Sequence, residues 1–252
     1  MVIRPMIRNN ICMNAHPTGC YKDVEDQIAY VKSKGSFAGP KKVLVIGAST
    51  GYGLASRISL AFGAGAGTIG VAFEKEASEN WHNTASFDLL ARKAGLVAES
   101  INGDAFSKEI KAQVIDRIKT LFGQVDAVIY SLASPVRTDP DTGVQYRSCI
   151  KPIGQVYTAK TYNTTTKEVT IASIEPVSSQ DEIDQTVKVM GGEDWVLWIK
   201  ALLDAGVLAR NCVTMAYSYI GPKLTHPVYL NGTIGTAKAH LERTVKDLDK
   251  LL

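Results

Sequence analysis

The chain has 252 residues, 45% of them hydrophobic, which is enough for one large α/β domain with a proper core. Its net charge of +3 arises from interspersed charges without a strong block, which argues against nucleic acid or a membrane surface as the main partner. No apolar run reaches membrane-spanning length, the first residues lack the long apolar core of a secretion signal, and the four cysteines suggest no disulfide framework, so we expect a cytoplasmic protein.

Residues 1–40 are predicted to form an N-terminal extension ahead of the main sheet. The turn-forming segment 17–19 (Pro-Thr-Gly) indicates a hairpin, and residues 24–31 have the pattern of a short helix. Two cysteines and a histidine lie near the start of the chain, at Cys12, His16 and Cys20. Their spacing differs from that of usual zinc sites and no fourth ligand is obvious, so we expect no metal.

The segment 43–54 is the one around which the predicted fold is organised. An apolar run at 43–46 indicates a strand that is buried on both faces. Gly47, Gly51 and Gly53 follow this strand, and a helical pattern then begins. Glycines in this context allow a tight turn and leave amide N–H groups at the positive end of a helix, where a pyrophosphate can bind. We therefore predict a dinucleotide site; the alternative is a tight strand–helix turn that binds nothing.

An acidic residue follows the second predicted strand, which covers residues 68–73. Glu74 stands at the carboxyl end of this strand, where its side chain can accept hydrogen bonds from an adenosine ribose diol. A carboxylate there also repels a 2′-phosphate, so Glu74 favours NAD over NADP, although the neighbouring Lys75 weakens this inference. The alternative interpretation is a solvated strand end.

Strands and helices alternate along the chain as far as residue 134. The further elements are predicted in this order: a helix at 84–94, a third strand at 96–101, a helix capped by Ser107 and a fourth strand at 125–130. This alternation predicts an α/β fold, namely a Rossmann-type doubly wound parallel sheet similar to that of short-chain dehydrogenases and reductases.

Two turns after these strands are predicted to contact a dinucleotide. Asp104 follows the third strand, where its carboxylate can bond an adenine amino group while Ala105 packs against the ring. The turn 131–134 lies near the switch between the first and fourth strands, where open parallel sheets bind ligands, and is placed against the nicotinamide ribose. The alternative for this turn is a strand end made of small residues.

The alternation breaks at Pro135, and residues 135–180 are predicted to be an insertion rather than a separate domain. The threonine-rich segment 157–174 indicates a β-hairpin with its turn near residues 163–167. Three helices and a fifth strand follow: a helix capped by Ser178 or Ser179, a helix around the predicted core residues Trp195 and Trp198, the strand at 212–217, and a last helix from about residue 233. We expect a single domain over residues 1–252.

Two tyrosine–lysine pairs compete for a catalytic role. A tyrosine hydroxyl can donate a proton or stabilise an enolate, and a lysine beside it can hold a nicotinamide ribose and lower the pKa of a phenol. Tyr219 and Lys223 have the spacing that is common in short-chain dehydrogenases. That spacing requires one helix to carry both residues, and the intervening Gly221 and Pro222 disfavour a helix.

The second pair, Tyr229 and Lys238, would lie on opposite faces of one ideal helix. The two side chains can converge only if Tyr229 lies in the loop before the helix, and the Asn-Gly pair at 231–232 supplies the break. We therefore favour Tyr229 with Lys238.

Eight segments distributed over essentially the whole chain resemble the trans-2-enoyl-CoA/enoyl-ACP reductase family of the FabV type. They are MIRNNIC (6–12), GASTGYG (47–53), FEK (73–75), GDAFS (103–107), YSLASP (130–135), VKVMGGEDW (187–195), AYSYIGP (216–222) and GTIG (232–235). The spacing of eight residues between Tyr229 and Lys238 is similar to the signature of that family.

The resemblance implies an NADH-dependent reduction of the carbon–carbon double bond of a trans-2-enoyl thioester, carried by CoA or acyl carrier protein, in fatty acid synthesis. It makes Tyr229 the proton donor and Lys238 the ribose-binding lysine, and it places Tyr219 against the substrate carbonyl. It implies that the cofactor is lined by Gly47, Ala48, Ser49, Thr50, Gly51, Tyr52, Phe73, Glu74, Asp104, Ala105, Leu132, Ala133 and Lys238. We expect the chain to act as a monomer.

The chain departs from this family pattern in three places. The segment between the second strand and Trp81 is shorter, and Thr236 and Ala239 stand near the signature lysine, where some members carry a second lysine. Members of the family also continue well beyond the position of Leu252, with further strands and much of the acyl-binding wall. We therefore interpret the chain as lacking the C-terminal part of the family and expect weak NADH binding and slow turnover.

Two other functions stay open at this point. One is a ketone or aldehyde reductase that acts through Tyr219 and Lys223, and it would lose turnover in Tyr219→Phe but not in Tyr229→Phe. The other is a non-catalytic dinucleotide-binding protein, which would bind the cofactor without transferring hydride.

Overall fold

The computed structural model describes residues 4, 6–8, 11–12 and 14–252 of the chain. These residues divide into two compact units, one formed by Met1–Leu132 with Lys200–Tyr217 and the other by Ala133–Ile199 with Ser218–Leu252. Among the residues described, no helix is both long and apolar enough to span a membrane.

Eleven strands and seven α-helices have the following bounds within this part of the chain. The strands are β1 (Ile7–Arg8), β2 (Ile11–Cys12), β3 (Lys42–Ile46), β4 (Gly67–Ala72), β5 (Ala98–Asn102), β6 (Val125–Tyr130), β7 (Val136–Thr138), β8 (Gln145–Arg147), β9 (Tyr157–Asn163), β10 (Glu168–Ile174) and β11 (Leu208–Ala216). The helices are α1 (Pro17–Ser33), α2 (Gly51–Ala64), α3 (Glu79–Lys93), α4 (Lys108–Leu121), α5 (Gln180–Met190), α6 (Glu193–Asp204) and α7 (Thr233–Leu248), with a 3₁₀ turn at Lys223–Thr225.

The first unit is built on a parallel sheet with the strand order β11-β6-β3-β4-β5. In the centre, Ile46 pairs with Val71 of β4 on one side and with Tyr130 of β6 on the other. The strand order reverses direction at β3 because β4 and β5 follow on one side, while β6 and β11 follow on the other. The predicted Rossmann-type doubly wound sheet is therefore confirmed, and its switch point lies between β3 and β6 as expected.

Two apolar clusters form the core of this unit. One joins α1, α2 and α3, and it consists of Val24, Ile28, Leu54, Ile58, Ala61, Phe87 and Ala91. The other joins β3 and β6 with residues that flank β3 and α2, and it consists of Val43, Val45, Ala48, Ala66, Ala127 and Ile129. Because β3 has apolar neighbours throughout, its apolar run is fully buried, as the sequence pattern predicts.

The N-terminal extension differs from its prediction. The predicted hairpin exists, but it is formed by β1 and β2, in which Ile7 pairs with Cys12. Residues 17–19 begin α1 instead of making a turn, since Pro17 occupies the first helical position and the ring of His16 accepts a hydrogen bond from the Gly19 N–H at 3.1 Å. The side chain of Cys12 lies outside the described residues, and with it one member of the cysteine–histidine trio.

The second unit contains the predicted insertion. Strands β9 and β10 pair along their whole length, from Tyr157 with Ile174 to Asn163 with Glu168, which confirms the hairpin over 157–174. The Asn163 side chain accepts the backbone N–H of Thr165 at 2.9 Å and thereby stabilises the turn. The two tryptophans predicted to be core residues, Trp195 and Trp198, are both buried.

A buried arginine ties four elements of the first unit together. Arg57 of α2 donates hydrogen bonds to the Thr68 hydroxyl of β4 at 3.1 Å and to the Ser100 hydroxyl of β5 at 2.7 Å. It also contacts the Asp88 carboxylate of α3 at 3.2 Å and the Glu99 carbonyl oxygen at 2.6 Å. Burial lowers the pKa of Arg57 to about 10, and the charge of Asp88 opposes this shift. The guanidinium is thus satisfied by groups from elements that are distant in sequence.

Replacing this arginine should destabilise the first unit strongly. We expect Arg57→Met to lower the free energy of unfolding by about 3 kcal/mol or more, because it leaves the Asp88 carboxylate and several buried polar groups without their cation. Arg210→Met is a matched control, since Arg210 is exposed on β11 and forms no ion pair with the described residues. Urea unfolding measures both variants, and an equal small loss in the two would contradict this account of the core.

Candidate functional site

The turn between β3 and α2 presents backbone amides at the positive end of a helix. The N–H groups of Gly47 and Ala48 both bond the Val71 carbonyl oxygen, at 2.8 and 3.0 Å, and so fix the start of the turn to β4. The N-cap residue of α2 is Thr50, whose side chain makes no capping hydrogen bond. The first turn of α2 also contains no acidic residue. The amide groups at this helix end therefore remain available to an anionic ligand.

Two of the predicted glycines are required because backbone atoms approach them closely. A Cβ on Gly53 would lie 1.8 Å from the Gly47 carbonyl oxygen. A Cβ on Gly47, which has φ +86°, would lie 2.2 Å from the Ser131 carbonyl oxygen and 3.3 Å from the Leu132 side chain. The turn 131–132 after β6 therefore lies against the glycine turn, as expected for a switch point.

An aromatic pair flanks this turn. The Tyr52 ring is 65% exposed and stacks on the Tyr217 ring, with centroids 5.0 Å apart. The Tyr217 hydroxyl lies 2.5 Å from the Ser56 hydroxyl, so a hydrogen bond ties the end of β11 to α2. The sequence predicts Tyr52 as a cofactor residue but does not single out Tyr217 or Ser56. The signal that could have found them is the position of Tyr217 at the carboxyl end of a strand beside the switch point.

Glu74 lies two residues after the end of β4, at the position predicted for a ribose-binding carboxylate. Its side chain accepts a hydrogen bond from the Thr84 hydroxyl of α3. Burial raises the pKa of Glu74, and the Thr84 hydrogen bond opposes that rise. The preceding residue, Phe73, is 77% exposed and leaves its ring on the surface.

The remaining predicted cofactor residues have different environments. Asp104 uses one carboxylate oxygen to accept the Phe106 N–H at 2.9 Å, which closes the turn after β5. Ala105 and Ser49 are buried in the first unit, and Ala133 is exposed and belongs to the second unit. Within the first unit the structure thus brings the residues at 47, 53, 131 and 132 together, and it places Glu74 and Asp104 after neighbouring strands.

Tyr229 lies in the turn that precedes α7, which is the condition that its pairing with Lys238 requires. Helix α7 begins at Thr233 with Gly232 as its N-cap. A Cβ on Gly235 would lie 1.8 Å from the Leu230 carbonyl oxygen and 2.5 Å from that of Tyr229. The turn therefore packs on the face of α7 that carries Gly235, and Lys238, three residues further on, shares this face.

The competing pair, Tyr219 and Lys223, does not lie on one helix in the structure. Residues 219–222 are not helical, and the 3₁₀ turn begins only at Lys223, with Pro222 as its N-cap. The prediction that Gly221 and Pro222 prevent a helix is therefore confirmed. The Tyr219 ring instead meets the edge of the Tyr229 ring, with centroids 5.3 Å apart, so the two phenols belong to one cluster.

Lys238 has a largely buried side chain without a compensating anion among the described residues. The residue is 7% exposed, and its Nζ forms no hydrogen bond or ion pair with the described residues. Burial alone lowers its pKa from the ordinary lysine value. Because a partly desolvated ammonium without acceptors is costly, this arrangement suits a ligand that supplies hydrogen-bond acceptors, such as ribose hydroxyl groups.

The start of α7 is fixed by a segment that the sequence analysis does not single out. The Thr233 hydroxyl donates to the Cys149 carbonyl oxygen at 2.5 Å, and the Lys151 N–H donates to the Thr233 hydroxyl oxygen at 3.2 Å. The Thr233 N–H in turn donates to the Lys151 carbonyl oxygen at 3.0 Å. These bonds fix the first turn of the helix that carries Lys238.

Comparison with known proteins gives concordant matches over nearly the whole chain. Residues 75–252 match the model of the trans-2-enoyl-CoA reductase catalytic region, and residues 2–79 match that of the NAD(P)H binding domain of trans-2-enoyl-CoA reductase. An enoyl-[acyl-carrier-protein] reductase [NADH] from Flavobacterium johnsoniae is 59% identical over 250 residues, which cover 97% of this chain and 63% of the relative.

Solved structures agree with these matches. Trans-2-enoyl-CoA reductase from Treponema denticola, in complex with NAD, has a TM-score of 0.93 and 53% identity, covering 99% of this chain and 65% of that one. A metagenomic short-chain oxidoreductase at 17% identity and a TM-score of 0.52 shares the fold alone. The chain spans a little under two thirds of the length of the F. johnsoniae and T. denticola proteins.

The close backbone approach at Gly53 predicts that an alanine there destabilises the fold more than an alanine at Gly51 does. We expect Gly53→Ala to lower the free energy of unfolding by about 3 kcal/mol or more, because its Cβ would overlap a backbone oxygen that cannot move freely. Gly51→Ala is the matched control, since Gly51 has φ +55° but nothing within 4 Å of an added methyl group, so only about 1 kcal/mol of backbone strain is expected. Urea unfolding of both variants measures the difference, and equal losses would refute the close approach.

Proposed function

Because the chain belongs to the trans-2-enoyl-CoA reductase family, we propose that it reduces the carbon–carbon double bond of trans-2-enoyl thioesters with NADH. The strongest support is the glycine turn, in which Gly47 and Gly53 have no room for a side chain and the amides of α2 remain uncapped. Relatives named as NADH enoyl-acyl carrier protein reductases, and a related structure that contains NAD, support the same cofactor.

The residues present fit a nicotinamide dinucleotide. The N-terminus of α2 offers hydrogen-bond donors to a pyrophosphate, and Glu74 offers acceptors to the adenosine ribose. The uncompensated ammonium of Lys238 offers a donor to the nicotinamide ribose. When bound, NADH would supply the hydride that the β-carbon of the enoyl group receives.

Two tyrosines are assigned to the reacting thioester. As hydride reaches the β-carbon, negative charge develops on the thioester carbonyl oxygen, and the Tyr229 hydroxyl stabilises this oxygen by donating a hydrogen bond. Tyr229 then supplies the proton that the α-carbon gains, which completes the saturated acyl thioester. Tyr219, whose ring contacts that of Tyr229, is assigned to the substrate side of the same cluster. The cation of Lys238 favours the ionised phenol that forms transiently.

The substrate is proposed to be an enoyl group carried by CoA or by acyl carrier protein. The names of the relatives cover both carriers, and the reaction belongs to fatty acid synthesis. We place this activity in the cytoplasm, in accord with the composition of the chain.

The assignment of Tyr229 predicts a large loss of turnover on removal of one oxygen atom. We expect Tyr229→Phe to lower kcat for NADH oxidation with crotonyl-CoA by about 100-fold or more, because general acid catalysis contributes a factor of this size. Tyr219→Phe is the comparison, and we expect it to raise KM with a smaller effect on kcat. Loss of kcat in Tyr219→Phe together with normal turnover in Tyr229→Phe would favour ketone or aldehyde reduction instead.

The environment of Lys238 predicts opposite pH dependences for binding and for stability. NADH affinity should fall as pH rises through the lowered pKa of Lys238, because the ammonium donates a stronger, charge-assisted hydrogen bond to the ribose than the neutral amine does. The free energy of unfolding should rise over the same range up to pH 10.5, because the unfolded chain there binds more protons than the folded one. NADH titration and urea unfolding from pH 7 to pH 10.5 measure both slopes. Lys238→Met should remove both, and unchanged slopes in this variant would disprove the assignment.

A further inference from the structure

The backbone of Glu74 is held by a side chain from the neighbouring strand. Pairing between β4 and β5 ends at Ala72 and Asn102. Beyond this last pair, the Asn102 side chain accepts the Glu74 N–H at 2.9 Å and donates to the Glu74 carbonyl oxygen at 3.1 Å. The side-chain amide of Asn102 therefore extends the hydrogen bonding between the two strands past the end of the sheet. It fixes the backbone of Glu74.

The carboxylate of Glu74 is held from the other side, by α3. The Thr84 hydroxyl donates to Oε1, whereas Oε2 receives no hydrogen bond within the described part of the chain. Asn102 fixes the backbone and Thr84 fixes one carboxylate oxygen, so the second oxygen keeps its acceptor sites for another molecule.

Packing alone would not hold this carboxylate, because it lies on the wall of a cavity of about 310 Å³. Small residues of the sheet, among them Gly70 and Ala72, line this cavity. Arg57 and Asp88 also line this cavity; the negative charge of Asp88 repels the Glu74 carboxylate, and the positive charge of Arg57 offsets this repulsion only in part. Without the Thr84 hydrogen bond, the carboxylate would have space to leave this position.

We propose that Thr84 and Asn102 are positioning residues that determine the choice between NADH and NADPH. They hold the Glu74 carboxylate where it accepts hydrogen bonds from the adenosine ribose diol and repels a 2′-phosphate. This inference rests on the proposed binding of NADH by the glycine turn. It assigns cofactor selection to three residues, from α3, from β5 and from the end of β4, instead of to one carboxylate.

The first test removes the hydroxyl of Thr84 at nearly constant volume. Fluorescence titration of the whole chain with NADH and with NADPH gives the two dissociation constants. We expect Thr84→Val to weaken NADH binding about tenfold and to shift the NADPH-to-NADH affinity ratio about tenfold toward NADPH, because the carboxylate loses the bond that orients it. Thr84→Ser should restore both values, since it returns the hydroxyl.

A matched control separates this effect from a general effect of valine on a helix. Thr120 of α4 is exposed, and its hydroxyl donates to the Asp116 carbonyl oxygen of its own helix, at 2.8 Å. Thr120→Val should leave both dissociation constants unchanged. A thermal melt of each variant checks that the fold persists.

The second test removes the amide of Asn102, which is exposed and can be replaced without opening the core. Asn102→Ala should shift the affinity ratio in the same direction as Thr84→Val. If both variants keep the affinity ratio of the unaltered chain, the positioning role is overturned while NADH binding stands. If the unaltered chain binds neither dinucleotide, the proposed function fails and this inference fails with it.

Discussion

The structure of the first unit depends on how closely two backbone segments approach each other at the end of β3. The Gly47 carbonyl oxygen occupies the space that a Cβ on Gly53 would need, and the Ser131 carbonyl oxygen does the same for Gly47. Only glycine lets α2 begin this near the sheet. Because α2 begins there, its uncapped amides stand directly at the switch point between β3 and β6, where a pyrophosphate can meet them.

The features that could be predicted from the sequence are those set by local pattern. The apolar run at 43–46 predicts a strand that is buried on both faces, because such a strand has no polar face. The hairpin at 157–174 is predicted by its β-prone threonines and its turn residues. The predicted N-terminal turn at 17–19 was wrong, since Pro17 is as suitable for a first helical turn as for a loop. Only the cap by His16, which sequence reasoning did not weigh, distinguishes the two.

Contacts between distant segments explain what could not be predicted. Nothing near Arg57 in the sequence marks it as a buried cation, because its partners come from β4, β5 and α3. The same holds for the bond between Ser56 and Tyr217, and for the contact of Thr84 with Glu74. Lys238 differs from these residues, since its side chain is largely buried and its Nζ has no hydrogen-bond or ion-pair partner among the described residues, in accord with its proposed contact with a ribose.

The most direct test of the central claim is a crystal structure of this chain grown with NADH. The account predicts the pyrophosphate within hydrogen-bond distance of the backbone amides at the start of α2, and the adenosine ribose hydroxyls on the Glu74 carboxylate. A dinucleotide bound elsewhere, or a pyrophosphate that makes no contact with these amides, would contradict it.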